Sequence, residues 1–343
     1  MKQLVEPNKQ PGLSYAFTDQ GLELPVIDVT HPAFRLTLGE AELSAMTEHF
    51  LAEQQRFAKL PGFLRSPLLR LALRGSILGA GLRRSQGTFL DGLSTYLLKL
   101  GAANLGRAYA KPVDSRIVSS LPALSVRLRL QDMATLLSDA LRPRLSAEPA
   151  RPLHLLNIAG GPAIDSLNAL IVLWREQPSL LSERRVLIRV LDPDESGPAF
   201  GARALAALQA AGTLAGVTID FRRAHYDWRE PAELEPTLAE ARAAGAITIG
   251  SSEGGLFEYG SDAEIVANLR ALARGAEPGF VMVGSVTRDD ETVRASHASG
   301  SAATRPRGLA VFSELAASAS FSVRRSVARP ISDQVVLEPR AEA

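Results

Sequence analysis

The chain has 343 residues, 38 of them basic and 37 acidic, and no cysteine. That length holds two domains or one large one, and a net charge near zero argues against a general nucleic-acid binder. The missing thiols exclude disulfides, thiolate metal sites and cysteine nucleophiles, and the five histidines (His31, His49, His154, His225, His297) show no metal-ligand spacing.

Met1–Gly12 is polar and lacks the apolar core of a signal peptide. Little regular structure is expected before about Leu38. Helical periodicity then takes over. Glu40–Lys59 places Leu43, Met46, Phe50, Leu51 and Phe57 between charges. Ser66–Arg84 is apolar with arginines on one side. Within it Pro67–Leu82 is too short and, with Arg70 and Arg74, too charged to span a bilayer. Gln86–Tyr109 steps Phe89, Leu93, Tyr96, Leu97 and Leu100 at helical spacing, and Leu121–Leu141 is a further helix. Ser146–Pro152 reads as a linker. The expected domains are therefore a helical region over 1–148 and a second unit over 149–343.

Beyond the linker, apolar runs of strand length alternate with helices. The strands are Leu153–Ile158, Val186–Leu191, Val217–Phe221, Ala246–Ile249 and Phe280–Val286. The helices are Asp165–Trp174, Pro198–Ala211, Pro231–Ala244 and Ser261–Arg274. Continuous apolar strands between helices imply a parallel sheet covered on both faces. Leu309–Ala319 is a last helix. Phe321–Val327 and Gln334–Leu337, joined across Pro330, are antiparallel to each other. The expected fold is α/β, a mostly parallel sheet closed by an antiparallel hairpin, with an all-helical N-terminal region.

The chemistry concentrates after the first of these strands. Leu153–Asp165 runs from a strand through Gly160 and Gly161 into a helix. Such a turn lets a ligand approach the backbone closely, and the amides of the helix start can meet polar groups. The next strand ends on Asp192, followed by Pro193 and Asp194, where a carboxylate can accept from both hydroxyls of a ribose. A helix cap near Ser196 is the competing use of Asp192. The turn and the acid together, in that order, favour a ribose-containing ligand.

The segment Asn157-Ile-Ala-Gly-Gly-Pro-Ala163 resembles motif I of the class I S-adenosylmethionine-dependent methyltransferases, Asp/Glu-x-Gly-x-Gly-x-Gly. Asn157 stands at the acidic position, Ala159, Gly161 and Ala163 at the three glycines, with Gly160, Pro162 and Asp165 beside them. The resemblance covers about Leu153 to Arg340 and implies a Rossmann-like seven-stranded sheet. It also implies S-adenosylmethionine as cofactor, S-adenosylhomocysteine as product, and an O- or N-methyl transfer to a small molecule. Asp192 and Pro193 match the family's ribose site, and Tyr226, Asp227 and Trp228 its adenine site. Ile249–Tyr259, with Ser251 and Ser252, matches the loop where donor and acceptor meet. Asn157 in place of a carboxylate, alanines in place of two glycines, and an insertion over Glu176–Arg184 are departures from the pattern.

Because the donor methyl is already activated as a sulfonium, the protein has to align a nucleophile with it and exclude water. A general base is needed only for a protonated acceptor; Glu253, Glu258 and Tyr259 are the candidates, with His225 further off. In the helical region Tyr96, Lys99, Asn104, Arg107, Tyr109 and Lys111 suit a lid over an acceptor. The competing reading makes Tyr96 core and the charges a solvated face. Arg127 and Arg129 could reach a carboxylate, though solvent exposure is expected for at least one of them. The apolar Pro67–Arg84 segment is expected to pack within the cap; contact with a membrane or with another subunit through its apolar face is the competing reading, which leaves a homodimer through the N-terminal helices open. The expected setting is cytoplasmic, without metal, nucleic acid or membrane. Two rivals remain: an NAD-type oxidoreductase, although Gly-x-Gly-x-x-Gly is absent, and a non-catalytic protein that keeps the fold for interaction.

Overall fold

The structure is a computed structural model that describes residues 3–59, 76, 78–79, 91–106, 109, 111–298 and 304–340. The sequence readings for Pro67–Arg84 (apart from Ser76, Leu78 and Gly79), Gln86–Leu90 and Arg107 lie outside the described residues. In chain order the elements begin with β1 (Tyr15–Phe17), β2 (Glu23–Pro25), α1 (Glu40–Ala58), α2 (Gly92–Leu100), α3 (Pro112–Val118) and α4 (Leu121–Ala147). The alternating part follows: β3 (Leu153–Ile158), α5 (Ile164–Glu176), β4 (Arg185–Leu191), α6 (Ser196–Ala210), β5 (Thr218–Ala224), α7 (Leu234–Ala243), β6 (Ile247–Ser252), α8 (Leu256–Tyr259), α9 (Asp262–Gly275) and β7 (Val281–Thr287). It ends with α10 (Glu291–Ala298), α11 (Gly308–Ser318), β8 (Phe321–Ala328) and β9 (Ser332–Pro339).

The seven-stranded sheet has the order β5-β4-β3-β6-β7-β9-β8. β3 pairs in parallel with both β4 and β6, so the chain reverses its direction of growth across the sheet at β3. Ligand crevices of open α/β sheets form outside the carboxyl ends of the strands at such a switch point. β9 runs antiparallel to β7 and to β8. The sheet is therefore mostly parallel with an antiparallel hairpin at its end, the Rossmann-like seven-stranded arrangement that was expected.

Burial follows strand position. β3, β6 and β7 are buried along their whole length, whereas the edge strands β5 and β8 are half exposed. The period of two sorts β3 onto two cores: Leu153 and Leu155 join α2, α4, α5 and α6, while Leu156 and Ile158 join α7, α9 and α11. The first core runs across residue 148, since Leu130, Met133, Leu137 and Leu141 of α4 pack with it. α4 continues through Pro143 to Ala147, so the connection to the sheet is shorter than the composition of Ser146–Pro152 suggests.

Two expectations need correction. The N-terminal region is not all-helical: β1 and β2 form a hairpin, and Leu24, Val26, Ile27 and Val29 around it are buried. The reason is a polar strap. Asn168 in α5 accepts from the Val29 amide at 2.7 Å and donates to the Ile27 carbonyl at 3.0 Å, and the Ile27 amide donates to the Tyr96 hydroxyl at 3.1 Å. The helix expected to Tyr109 stops at Leu100, because Gly101 turns the chain at φ 73°.

Candidate functional site

The turn after β3 is the centre of the site. Ala159 (φ 54°), Gly161 (φ 57°) and Ala163 (φ 51°) all take the left-handed conformation. Two alanines therefore hold a backbone shape that favours glycine. Asn157, fully buried at the end of β3, donates to the Asp165 carboxylate at 2.7 Å and to the Ser251 hydroxyl at 3.1 Å. Its own Oδ1 and the second oxygen of Asp165 are buried without a hydrogen-bond partner. Burial pushes the Asp165 carboxyl up to about 6, and the nearby Glu253 charge adds to the rise; Ser251, Lys99 and the Ser166 amide oppose it.

Asp192 closes one side of the turn. Its carboxylate accepts from the Gly161 amide at 3.0 Å and from the Asp194 amide at 2.8 Å, and it is buried. Burial raises its pKa, and the two amides hold it back. Capping of α6 falls instead to Asp194, which accepts from the Ser196 and Gly197 amides at 3.2 Å each. Pro193 is exposed beside it.

Above the end of β6 lies a buried ion cluster. Glu253 binds Lys99 of α2 and, at 2.8 Å, the Arg129 Nε of α4; Arg129 Nη1 reaches both oxygens of Glu258 at 3.0 Å. The side chains of Lys99 and Glu253 are 3% and 1% exposed, so solvent does not screen this pair. Burial alone would raise the Glu253 pKa, yet Lys99 and Arg129 together hold it below the ordinary range. Burial works against the charge of Arg129, and Glu258 and Glu253 outweigh it, raising its pKa. Neither Lys99 nor Asn104 belongs to a solvated face, because both are buried. Of the two arginines, Arg127 is half-buried and Arg129 buried, and Arg129 pairs with the chain's own carboxylates.

The remaining candidates scatter in role. Ser252 caps α8, accepting from the Leu256 amide at 2.9 Å. Tyr259 is half-buried, and its carbonyl accepts from Arg305 at 3.1 Å. Tyr226 is buried with its hydroxyl on Asn268, and Trp228 packs against the second core while its carbonyl accepts from Asn268 at 2.7 Å. Asp227 is held by Arg229, whose guanidinium lowers its pKa. His225 is exposed. Among the described residues no group of three or more acids and histidines is placed to hold a metal, and no helix is long and apolar enough to cross a membrane.

Sequence reasoning missed two glycines. A Cβ on Gly92 would lie 2.9 Å from the Gly161 Cα, and one on Gly197 also 2.9 Å from it. Neither takes a positive φ. These residues are glycines because three backbones meet at one point. The only local signal was Asp91, the N-cap of α2, which accepts from the Ser94 amide at 2.7 Å.

Whether these groups suit S-adenosylmethionine can be judged from the unpaired acceptors. Asn157 Oδ1 and the free Asp165 oxygen, next to a left-handed turn, suit a cationic donor such as its ammonium group. Asp192 keeps acceptor capacity for hydroxyls beyond its two amide bonds. The acceptor set fits in kind, and α2 lies on the turn.

Neither a protein-family model nor a curated protein matches the chain. Solved structures do. A possible exported protein from Bordetella parapertussis is 18% identical, with 89% of this chain and 100% of that one covered, at a TM-score of 0.56. An O-methyltransferase family protein from Burkholderia thailandensis is 13% identical over 68% of this chain and 62% of its own, at 0.41. LepI, solved with S-adenosylhomocysteine and a substrate analogue, is 13% identical over 87% and 95%, at 0.45. Identities this low speak to the fold alone.

Proposed function

We propose that the protein binds S-adenosylmethionine at the Asn157–Asp165 turn and transfers its methyl group to an O or N atom of a small molecule. The single observation that carries this is the turn itself. Three left-handed residues and two unpaired buried acceptors stand at the switch point of the sheet, beside a strand-end acid. Nothing in core packing needs that combination, since buried acceptors without donors cost about 1–3 kcal/mol each.

The bound cofactor would supply a methyl group already activated on sulfur. The chain's own part is binding, orientation and exclusion of water. Asn157 and Asp165 would hold the ammonium end, and Asp192 the ribose. Burial of Ser251, Ser252 and Glu253 at the end of β6 keeps water from that side. Glu253, clamped by two cations with its pKa lowered, is a poor proton acceptor and serves to hold α2, α4 and the β6 loop together. The helical region over 1–148 would cover the acceptor, and a cytoplasmic setting and a dimer through it belong to the same reading.

Isothermal titration of the full chain with S-adenosylmethionine, S-adenosylhomocysteine and NAD tests this. Saturable binding of the first two and none of NAD is expected. Binding of NAD alone, or of none of the three, would sink the proposal and leave the interaction-only reading standing.

A further inference from the structure

We infer that α2 is a gate over the glycine turn, latched by the Lys99 ammonium, and that it must lift for the cofactor to bind. This rests on the reading of the turn as an S-adenosylmethionine site. Gly92, Tyr96 and Lys99 are spaced by four and three residues, so they share one face of α2. All three are pressed downward. Gly92 touches Gly161, and Tyr96 donates to the Pro25 carbonyl at 2.6 Å and meets the Phe200 ring edge-on at 4.8 Å. Lys99 binds Glu253.

Lys99 carries the only charge on the nine-residue helix, and it is spent on the carboxylate cluster beside Asp165. An ammonium on a tether already stands among the acids that would attract the ammonium of the cofactor. The two cations compete for one group of carboxylates. Leu93, Ser94 and Leu97 of α2 border, together with Ser196 and Phe200 of α6, a cavity of about 170 Å³, which gives the helix room to shift. At its C-terminal end Gly101, at φ 73°, supplies a backbone pivot. A helix of this length has little stability of its own, so undocking it costs the contacts just described together with the core burial of Leu97 and Leu100.

A closed state that excludes the ligand reduces apparent affinity by the fraction of molecules that are open. Lys99→Met removes the competing cation and keeps an apolar stem of similar length. It should tighten the dissociation constant for S-adenosylhomocysteine by about tenfold or more. Gly92→Ala is the second variant, with the same expected direction, because its Cβ would lie 2.9 Å from the Gly161 Cα, with the Gly197 Cα and the Pro162 ring at 3.4 Å, and must push α2 off the turn. The independent readout is hydrogen exchange of the α2 amides in the native chain. S-adenosylhomocysteine should speed their exchange, because the helix lifts to admit it. Slower exchange on binding, or weaker or unchanged affinity in the variants that fold, would show that α2 closes on the ligand and would overturn the gate while leaving the cofactor reading intact. No binding to the native chain or to either variant would remove the cofactor reading, and the gate with it.

Discussion

Asp165→Asn should stabilise the protein at neutral pH and do so less and less as the solution is acidified. Asp165 is fully buried, accepts one hydrogen bond from Asn157, and leaves its other oxygen without a donor. Burial and the Glu253 charge move its pKa from 3.8 to about 6 in the folded chain. The folded state therefore holds a proton between about pH 4 and 6 that the unfolded chain has released. The contribution of this group to stability is fully present below about pH 4 and is lost as the pH rises through about 6. At about 1.4 kcal/mol for each tenfold change in proton affinity, the loss above pH 6 amounts to about 3 kcal/mol. An asparagine keeps the acceptor for Asn157 and carries no charge. Urea unfolding of both proteins at pH 4, 5, 6, 7 and 8 gives the difference directly, and effects of titrating groups not coupled to Asp165 cancel in it. A gap that opens by about 3 kcal/mol between pH 4 and 7 is expected. A difference that stays constant across the series would refute the assignment of the raised pKa to Asp165.

Ala159→Gly should raise stability by about 0.5–1 kcal/mol in thermal melts, because a half-buried methyl is given up for relief at φ 54°. Ala163→Gly should come within about 0.5 kcal/mol of neutral, since there the methyl is fully buried and its loss offsets the relief; a larger gain at 163 than at 159 would contradict this balance. Asp192→Ala takes the acceptor from the Gly161 and Asp194 amides and should cost roughly 1.5–3 kcal/mol. The same variant should weaken S-adenosylhomocysteine binding on the order of tenfold to a hundredfold by calorimetry, and an unchanged dissociation constant would remove Asp192 from the site. Lys99→Met leaves Glu253 with Arg129 alone and should lower unfolding free energy by about 3 kcal/mol; chemical denaturation showing no loss would mean that the buried pair is replaceable by packing.

The order of strands and helices from Leu153 onward was legible in the chain itself, because a parallel sheet buried on both faces forces unbroken apolar runs between amphipathic helices. The antiparallel ending was equally legible, since the loop around Pro330 is too short for a crossover. The glycine turn and Asp192 could be placed for the same reason: both lie at strand ends, where local sequence fixes position. What local sequence does not carry is which distant groups meet. Asn168 looks like an ordinary helix residue, yet it straps Val29 and Ile27 to α5 from about 140 positions away, and this ordered a segment that looked irregular. Gly92 and Gly197 carry no signal as glycines until three backbones converge on Gly161. Lys99, Arg129 and Glu253 come from three separate elements, and a charge in a helix is ordinarily solvated. Only the packing of α2 and α4 against the end of β6 removes water from them and turns surface-type residues into a buried ion cluster.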